Sequence, residues 1–221
     1  LLSILRGAIA LNPAFLHKLQ GHTAISELQF SRDWGLGSSS TLINNIAQWA
    51  EVNAYSLLWN TFSGSGYDIA CAQNNQPLTF QLKGSTPEVD LLQFKPSFSA
   101  ELYFVHLNKK QNSREGIAQY KRVEAKKKGL IDEITEITRA VVACDDLTTF
   151  QELLLRHEEL ISETIHLPRI QDQLFPDFTG LVKSLGAWGG DFVLAMGTDH
   201  ILEYFNSKGY TTVLPYDELV L

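Results

Sequence analysis

The chain has 221 residues, of which 44% are hydrophobic and 19% charged, a balance typical of a folded protein with one large domain or two small ones. Its net charge of −7 disfavours nucleic acid as a partner, and every apolar run is too short to span a lipid bilayer. Cysteines are too few for a disulfide scaffold, so Cys71 and Cys144 are predicted to be reduced thiols in the core of a cytoplasmic protein. The chain begins at Leu1 and its only methionine is Met196, from which we expect the latter part of a longer polypeptide.

The N-terminal part is predicted to form a helix, a strand and a second, longer helix. Leu1–Leu19 has an apolar side and is expected to be helical, with a break or bend at Pro13. Weak alternation of apolar and polar residues predicts a strand at Glu27–Phe30. Thr41–Trp59 has the clearest helical periodicity, and Asn44 falls on its polar side. The apolar stripe of this helix consists of Ile43, Ile46, Ala47, Ala50, Ala54, Leu57 and Leu58.

A β-hairpin and a domain boundary are predicted next. Tyr67–Ala72 and Leu78–Leu82 are expected to be the two arms of the hairpin, because the polar residues between them are typical of a turn. Gly84–Pro96 has no clear periodicity and contains two prolines. We therefore place the boundary there, which divides the chain into domains 1–96 and 97–221.

The second half is predicted to be a sheet with several helices. Strands are expected at Glu101–Leu107, Phe192–Ala195 and Tyr210–Leu214, with a further extended element at Phe178–Val182. Helices are expected at Asn112–Lys128, Leu130–Val142, Leu147–Ile165 and Thr198–Ser207, the last one capped by Thr198 or Asp199. His157 lies on an apolar stripe, where a hydrogen bond at a helix interface or a contact with a substrate would explain it. This order predicts an α+β fold whose antiparallel sheet carries helices on one face.

Three glycine-rich segments interrupt these elements: Gly35–Ser40, Ser63–Asp68 and Gly186–Asp191. The first segment leads into the Thr41 helix, and the first N–H groups of a helix have no partner within it. Such a turn can hold an anion, because the helix dipole adds partial positive charge at the same end. Its serines can bind a phosphate oxygen or a metal ion, or they can simply cap the helix.

In this order, the three segments resemble those of the GHMP kinases, the superfamily of galactokinase, homoserine kinase, mevalonate kinase and phosphomevalonate kinase. Gly35-Leu36-Gly37-Ser38-Ser39-Ser40 matches the phosphate loop of that family. Ser63–Asp68 resembles the segment that carries the catalytic aspartate, and Gly186–Asp191 resembles the third motif. The run Gly66-Tyr67-Asp68-Ile69-Ala70 is similar to a bacterial subgroup that is named GYDIA after those letters.

The resemblance implies a two-domain α+β fold: an N-terminal part like domain 2 of ribosomal protein S5, incomplete here, and a ferredoxin-like C-terminal domain. It implies ATP and Mg²⁺ as cofactors, with Ser39 as a metal ligand. Asp68 would accept a proton from the substrate hydroxyl or orient it, and Lys183 is the leading candidate to neutralise the γ-phosphate, ahead of Arg32 and Lys83. The nucleotide-binding residues would be Gly35, Leu36, Gly37, Ser38, Ser39, Ser40, Gly186 and Gly189.

The sequence departs from this family in several places. The family's N-terminal motif is absent, and Trp34 stands where proline is common. Leu57-Leu58-Trp59 stands where mevalonate kinases carry a magnesium-binding glutamate, and Trp188 replaces a glycine of the third motif. The missing glutamate, Trp188 and the absent N-terminal motif support one alternative, a GHMP-fold binding or regulatory protein without kinase activity. A third, weaker hypothesis is an α+β interaction protein whose glycine turns are only structural.

We therefore predict an ATP-dependent small-molecule kinase that phosphorylates a hydroxyl or phosphate acceptor. Mevalonate, phosphomevalonate, homoserine and sugars all stay open as acceptors, with a slight preference for phosphomevalonate-like chemistry. We expect a small-molecule substrate as partner, neither nucleic acid nor membrane, and we leave a homodimer open.

Overall fold

A computed structural model describes residues 1–109, 120, 122, 128–186, 188, 190–197 and 199–220. These residues form two compact units. The N-terminal unit consists of Leu1–Arg32 and Leu36–Gln93, and the C-terminal unit consists of Asp33–Gly35 and Phe94–Leu221. The predicted helix Asn112–Lys128 lies almost entirely outside the described residues.

The N-terminal unit is built from short helices and one β-hairpin. Its helices are α1 (Leu2–Leu11), α2 (Phe15–Leu19), α3 (Ser38–Ala50), α4 (Ala54–Thr61) and α5 (Tyr67–Gln73). The hairpin pairs β1 (Leu78–Lys83) with β2 (Thr86–Leu91) in antiparallel register. The break predicted at Pro13 is confirmed, because it separates α1 from α2.

The apolar stripe predicted for the long N-terminal helix is confirmed, since all of its residues are buried in one core cluster. The helix itself is divided in two. Glu51 ends α3 with a left-handed backbone (φ 55°), and the side chain of Asn53 caps α4 by accepting the N–H of Ser56. The stripe continues across this break, so one face of both helices packs inward.

Two predictions for the N-terminal unit are wrong. The predicted strand Glu27–Phe30 has no regular structure. Nearby Ile25 is 90% exposed, so the weak alternation of apolar residues does not correspond to a buried face. The predicted hairpin arm Tyr67–Ala72 is helix α5. Adjacent residues Ile69 and Ala70 are both buried, as a helix allows and a one-sided strand does not. The hairpin instead turns at Gly84, which has φ 63°.

The C-terminal unit contains a four-stranded antiparallel sheet. Its strands are β3 (Leu102–His106), β4 (Leu181–Ser184), β5 (Phe192–Met196) and β6 (Val213–Pro215), in the order β4-β5-β3-β6. The strands predicted around 101–107 and 192–195 are confirmed. Helices of this unit are α6 (Lys128–Ala143), α7 (Leu147–Ile165), α8 (Ile170–Leu174), α9 (Ile201–Ser207) and α10 (Tyr216–Leu219).

Both faces of this sheet are covered, so the prediction of helices on one face is wrong. Phe150 and Leu154 of α7 pack with Leu102 and Leu194 in one cluster. The opposite face packs against α9 in a second cluster that includes Val105, Val193, Ile201 and Phe205. Successive side chains of β3 and β5 point to opposite faces of the sheet, so each of these strands contributes residues to both clusters.

Some finer predictions also need correction. Cys71 is exposed and Cys144 is half-buried, so neither is a core thiol, although both are free. Helix α9 begins after His200, not after Asp199, while Thr198 lies outside the described residues. In the described part of the chain, no helix combines the length and the apolar character that a bilayer crossing requires.

Candidate functional site

The first glycine-rich segment forms the start of α3. Gly37 is the N-cap residue and has a left-handed backbone (φ 69°), a conformation that glycine adopts without strain. Its carbonyl accepts the N–H of Thr41 at 3.0 Å. Because glycine has no side chain, the N-cap offers no acceptor to the first N–H groups, and the first turn contains no acidic residue. This helix start therefore has the features of an anion site.

The three serines of that segment begin α3 itself. Ser38 and Ser40 are half-buried, whereas Ser39 is exposed. A hydroxyl at the first turn of a helix can reach a ligand that lies over the N-terminus. Their placement is compatible with the roles that the resemblance implies for them.

Asp68 lies beside this helix start. It sits in the first turn of α5, whose N-cap is Gly66 with a left-handed backbone (φ 93°). A Cβ atom built on Gly37 would lie 3.7 Å from Oδ1 of Asp68 and 3.8 Å from its Cγ. The structure thus brings together the phosphate-loop glycine and the aspartate that the sequence singled out, and the space beside Gly37 faces a carboxylate.

Burial raises the pKa of the Asp68 carboxyl above its ordinary value, and the side chain of Tyr67 opposes this by lowering it. The Tyr67 hydroxyl, in turn, has its pKa raised by burial and by the charge of Asp68. A carboxylate with a raised pKa is a stronger proton acceptor than one at the surface. Asp68 therefore accepts a proton more readily than an aspartate in water does.

Asn44 holds α5 against α3, a role that the sequence analysis missed by placing it on the polar side. Its side chain is only 1% exposed. The amide of Asn44 donates to the carbonyl of Ala72 at 3.4 Å and accepts from Nε2 of Gln73 at 3.1 Å. Buried polar groups need such partners. One available signal was that Asn44 adjoins Ile43 in the stripe and so borders the buried face.

In the C-terminal unit, the carboxylate of Asp191 lies against Gly35. A Cβ atom on Gly35 would lie within 2.8 Å of both carboxylate oxygens, so a side chain at this position would collide with them. Gly35 also has a positive φ of 67°. The first residue of the phosphate-loop segment is therefore glycine for a steric reason as well as a conformational one.

Lys183 is engaged by Glu158 of α7. Its Nζ lies 3.4 Å from Oε2 of Glu158, and the two side chains are 11% and 5% exposed. Glu158 also accepts the N–H of Ser184 at 3.1 Å and its hydroxyl at 2.6 Å. Burial lowers the pKa of Lys183, and the charge of Glu158 opposes that change. This arrangement fixes the end of β4 just before the third glycine-rich segment.

The remaining candidate site residues are Lys83, Arg32 and those of the third glycine-rich segment. Lys83 forms a surface ion pair with Glu88 at 2.7 Å, and Arg32 is exposed.

In the third segment Gly186 is exposed with φ 58°, and Gly189 lies outside the described residues. Trp188 has a positive φ of 56°, and its ring centroid lies 5.9 Å from that of Tyr120.

A cavity of about 380 Å³ opens in the C-terminal unit beside the third segment. Trp188, Ser184 and Glu158 contribute to its wall, together with the cationic side chains of Lys109 and Arg169. Most of the remaining wall is apolar, formed by Leu107, Ile161, Ile165, Leu167, Pro168, Ile170, Leu174 and Tyr210. This volume is in the range of pockets that hold small metabolites.

The start of α3 fits a nucleotide polyphosphate, because a left-handed glycine, N–H groups without a side-chain cap and serine hydroxyls meet there. For Mg²⁺, the described residues contain no group of three or more His, Cys, Asp or Glu side chains that would hold an ion. Mg²⁺ commonly binds through substrate phosphates and few protein ligands. Ser39 is the residue that would contact a nucleotide-borne ion.

Comparisons with known proteins support the fold. No family model matches the sequence, and no curated protein matches it. Among solved structures, Streptococcus pneumoniae phosphomevalonate kinase in complex with phosphomevalonate and AMPPNP is similar over 98% of this chain and 78% of its own, with 18% identity and a TM-score of 0.61. A Lin0012 protein from Listeria innocua is similar over 98% of this chain and 75% of its own, with 14% identity and a TM-score of 0.60.

L. major mevalonate kinase in complex with R-mevalonate is also similar, with 14% identity and a TM-score of 0.54. That likeness covers 78% of this chain, which spans 60% of the length of the L. major enzyme. At such identities a structural likeness establishes the fold alone. The chain therefore shares the mixed α/β fold of these mevalonate kinase and phosphomevalonate kinase structures.

Proposed function

We propose that the protein is a GHMP-type small-molecule kinase, which transfers the γ-phosphate of ATP to a hydroxyl or phosphate group of a small acceptor. The observation that carries this proposal is the position of the Asp68 carboxylate beside Gly37, at the uncapped start of α3. A phosphate-holding turn and a proton acceptor are the parts that phosphoryl transfer requires. The structurally similar phosphomevalonate kinase is in complex with AMPPNP, an analogue of ATP, which supports ATP as the phosphoryl donor.

In this proposal the N–H groups of Gly37–Ser40 hold the β- and γ-phosphates. Ser39 contacts phosphate oxygen or its Mg²⁺, and ATP–Mg²⁺ supplies the activated phosphoryl group. Asp68 accepts the proton of the acceptor hydroxyl as that oxygen bonds to the γ-phosphorus, and ADP leaves with the electrons of the broken P–O bond. A phosphate acceptor needs no such proton transfer, so the role of Asp68 would then be orientation.

The compounds bound in two similar kinase structures, phosphomevalonate and R-mevalonate, support an acceptor of particular chemistry. Both are acids, and neither is a sugar. We propose a short-chain acidic alcohol or its phosphate as the acceptor.

Isothermal titration of the protein with ATP and MgCl₂ tests nucleotide binding directly. We expect a dissociation constant below about 1 mM, the upper end of ordinary substrate affinities. Release of ADP in the presence of mevalonate, phosphomevalonate, homoserine or galactose then identifies the acceptor class. Absence of any heat of binding at millimolar ATP would contradict the proposal.

A GHMP-fold binding protein without kinase activity is the second candidate. Two observations favour it: Lys183 is tied to Glu158, and Trp188 brings a bulky ring into the third segment. Binding of ATP without turnover of any of these acceptors would support this reading. Turnover that disappears in D68N would exclude it.

A further inference from the structure

Two aromatic side chains of α4 lie against the turn that leads into α5. A Cβ atom built on Gly66 would lie 2.9 Å from Cδ1 and 3.1 Å from Cε1 of Tyr55, so this ring is in contact with the N-cap of α5. Trp59 follows one helical turn further along α4, and its Nε1 donates to the carbonyl of Gly64 at 3.3 Å. The turn before α5 is therefore held from α4 at two places, Gly64 and Gly66.

The rings of Tyr55 and Trp59 also support each other. Their centroids lie 5.7 Å apart, with an angle of 37° between the ring planes. Both side chains are partly buried against the core cluster that contains the apolar stripe of α3 and α4. Because a packed core leaves little space for other side-chain positions, the two rings form a rigid surface that belongs to the N-terminal unit.

Gly66 is the residue through which this surface acts on α5. Its backbone is left-handed (φ 93°), and its carbonyl accepts the N–H groups of Ile69 at 2.9 Å and of Ala70 at 3.2 Å. Asp68 lies in the first turn of α5, two residues after Gly66. Since a helix fixes each residue relative to its neighbours, a shift of Gly66 moves the carboxylate of Asp68 with it.

We propose that Tyr55 is a positioning residue for phosphoryl transfer, whose ring fixes Gly66 and thereby holds the Asp68 carboxylate beside Gly37. This inference rests on the proposed function and adds to it a residue that the sequence analysis did not single out. All four residues belong to the N-terminal unit. A general base works only within hydrogen-bond reach of the proton that it accepts, so a displacement of about 1 Å slows the transfer step. The ring of Tyr55 has this role, and its hydroxyl does not.

The test is a double-mutant cycle between positions 55 and 68, with the acceptor that the ADP-release measurements identify. Y55L removes the ring and keeps an apolar side chain. We expect its kcat to fall about 10- to 100-fold with little change in the KM for MgATP, because the serines and N–H groups at the start of α3 are retained. Y55F retains the ring and should have the kcat of wild type.

The cycle distinguishes positioning of Asp68 from a general loss of stability. Once Asp68 is replaced by Asn, there is no base left to position, so Y55L/D68N should have the kcat of D68N. W49L is the matched control, because Trp49 is another partly buried aromatic residue of the same core cluster, and its ring meets that of Phe15 edge-on at 5.1 Å. This variant should lower the melting temperature and leave kcat, measured well below melting, as in wild type.

A wild-type kcat in Y55L overturns this inference, and so does a Y55L/D68N variant whose kcat falls by the product of the two single effects. An equal fall of kcat in W49L and Y55L also overturns it, because the loss would then follow stability. Each of these results leaves the proposed function standing, whereas absence of turnover by wild type with every acceptor overturns both proposals. If Y55L folds poorly, as judged by circular dichroism, W59F takes its place in the cycle. It removes the N–H group that Gly64 accepts and keeps a ring, and we expect the same non-additivity with D68N.

Discussion

The carboxylate of Asp68 lies against Gly37, with Oδ1 3.7 Å from the position that a Cβ would occupy there. The two residues belong to different helix starts, Gly37 to α3 and Asp68 to α5, and both N-caps are left-handed glycines. A side chain at position 37 would be disfavoured by the left-handed backbone, and its Cβ would come into van der Waals contact with the carboxylate. This pairing places a carboxylate next to a helix start that offers N–H groups to an anion.

Replacement of Asp68 by Asn should remove the proton acceptor and keep its size. We expect kcat to fall by about 10²- to 10⁴-fold, the usual contribution of a general base. Binding of MgATP should change little, because Asp68 is expected to accept the proton only in the transfer step. Steady-state kinetics with the acceptor found in the metabolite screen, combined with ATP titration, checks both. A variant with wild-type kcat would show that Asp68 is not the base.

Replacement of Tyr67 by Phe should shift the acid limb of the kcat/KM profile to higher pH. The Tyr67 side chain lowers the pKa of Asp68, so its removal raises that pKa further. Protonated Asp68 cannot accept a proton, and activity is then lost at a higher pH than in wild type. Y55F is the matched control, because Tyr55 is a neighbouring tyrosine whose pKa responds to burial and Cys71, not to Asp68. If the acid limb of the kcat/KM profile is not shifted in Y67F, Tyr67 does not influence the pKa of Asp68.

Replacement of Asn44 by Ala should loosen α5 from α3. The carbonyl of Ala72 and the amide of Gln73 would lose a buried partner, which costs about 1–3 kcal/mol of the free energy of unfolding. Urea denaturation measures this loss. N45A is the control, since Asn45 is the next residue and is exposed. Equal effects of the two variants would show that the contacts of Asn44 do not stabilise the unit.

Replacement of Glu158 by Gln should leave the largely buried Lys183 without its counter-ion. Removing one partner of a buried ion pair typically costs about 3–5 kcal/mol, and the retained amide can still accept from Ser184, so we expect the lower end of that range. The double variant E158Q/K183M should recover part of the loss in a urea titration. E159Q, which alters a half-buried neighbour whose ion pairs are longer, at 3.8 Å, should change little. A stable E158Q would mean that Lys183 does not need this carboxylate.

Replacement of His157 by Gln should make the protein less sensitive to mild acid. Burial, with the charge of Lys183, lowers the pKa of His157 from 6.5 to about 4. The unfolded chain then binds a proton before the folded one does, so this histidine's contribution to stability is complete above pH 6.5 and is lost as the pH falls toward 4. Thermal unfolding at pH 7 and pH 5 should show a smaller loss in H157Q than in wild type. The exposed His17 provides the control H17Q, which should behave as wild type.

The sequence by itself determined the elements whose pattern is long and regular. The stripe from Ile43 to Leu58 was predicted residue by residue, because burial on one face of a helix repeats every three to four positions. The strand at Leu102–His106 was recognisable from its apolar run, and the order of the glycine-rich segments pointed to the fold that the solved structures share.

Only the tertiary structure decided the features that depend on contacts between distant segments. Helix α5 is too short for its periodicity to distinguish it from a strand, and its packing on α3 settles the matter. The burial of Asn44, the pairing of Lys183 with Glu158 and the contact of Asp191 with Gly35 join residues far apart in the chain. Local sequence carries no record of such partners, because a polar residue at a helix or strand position looks the same whether it meets water or another side chain.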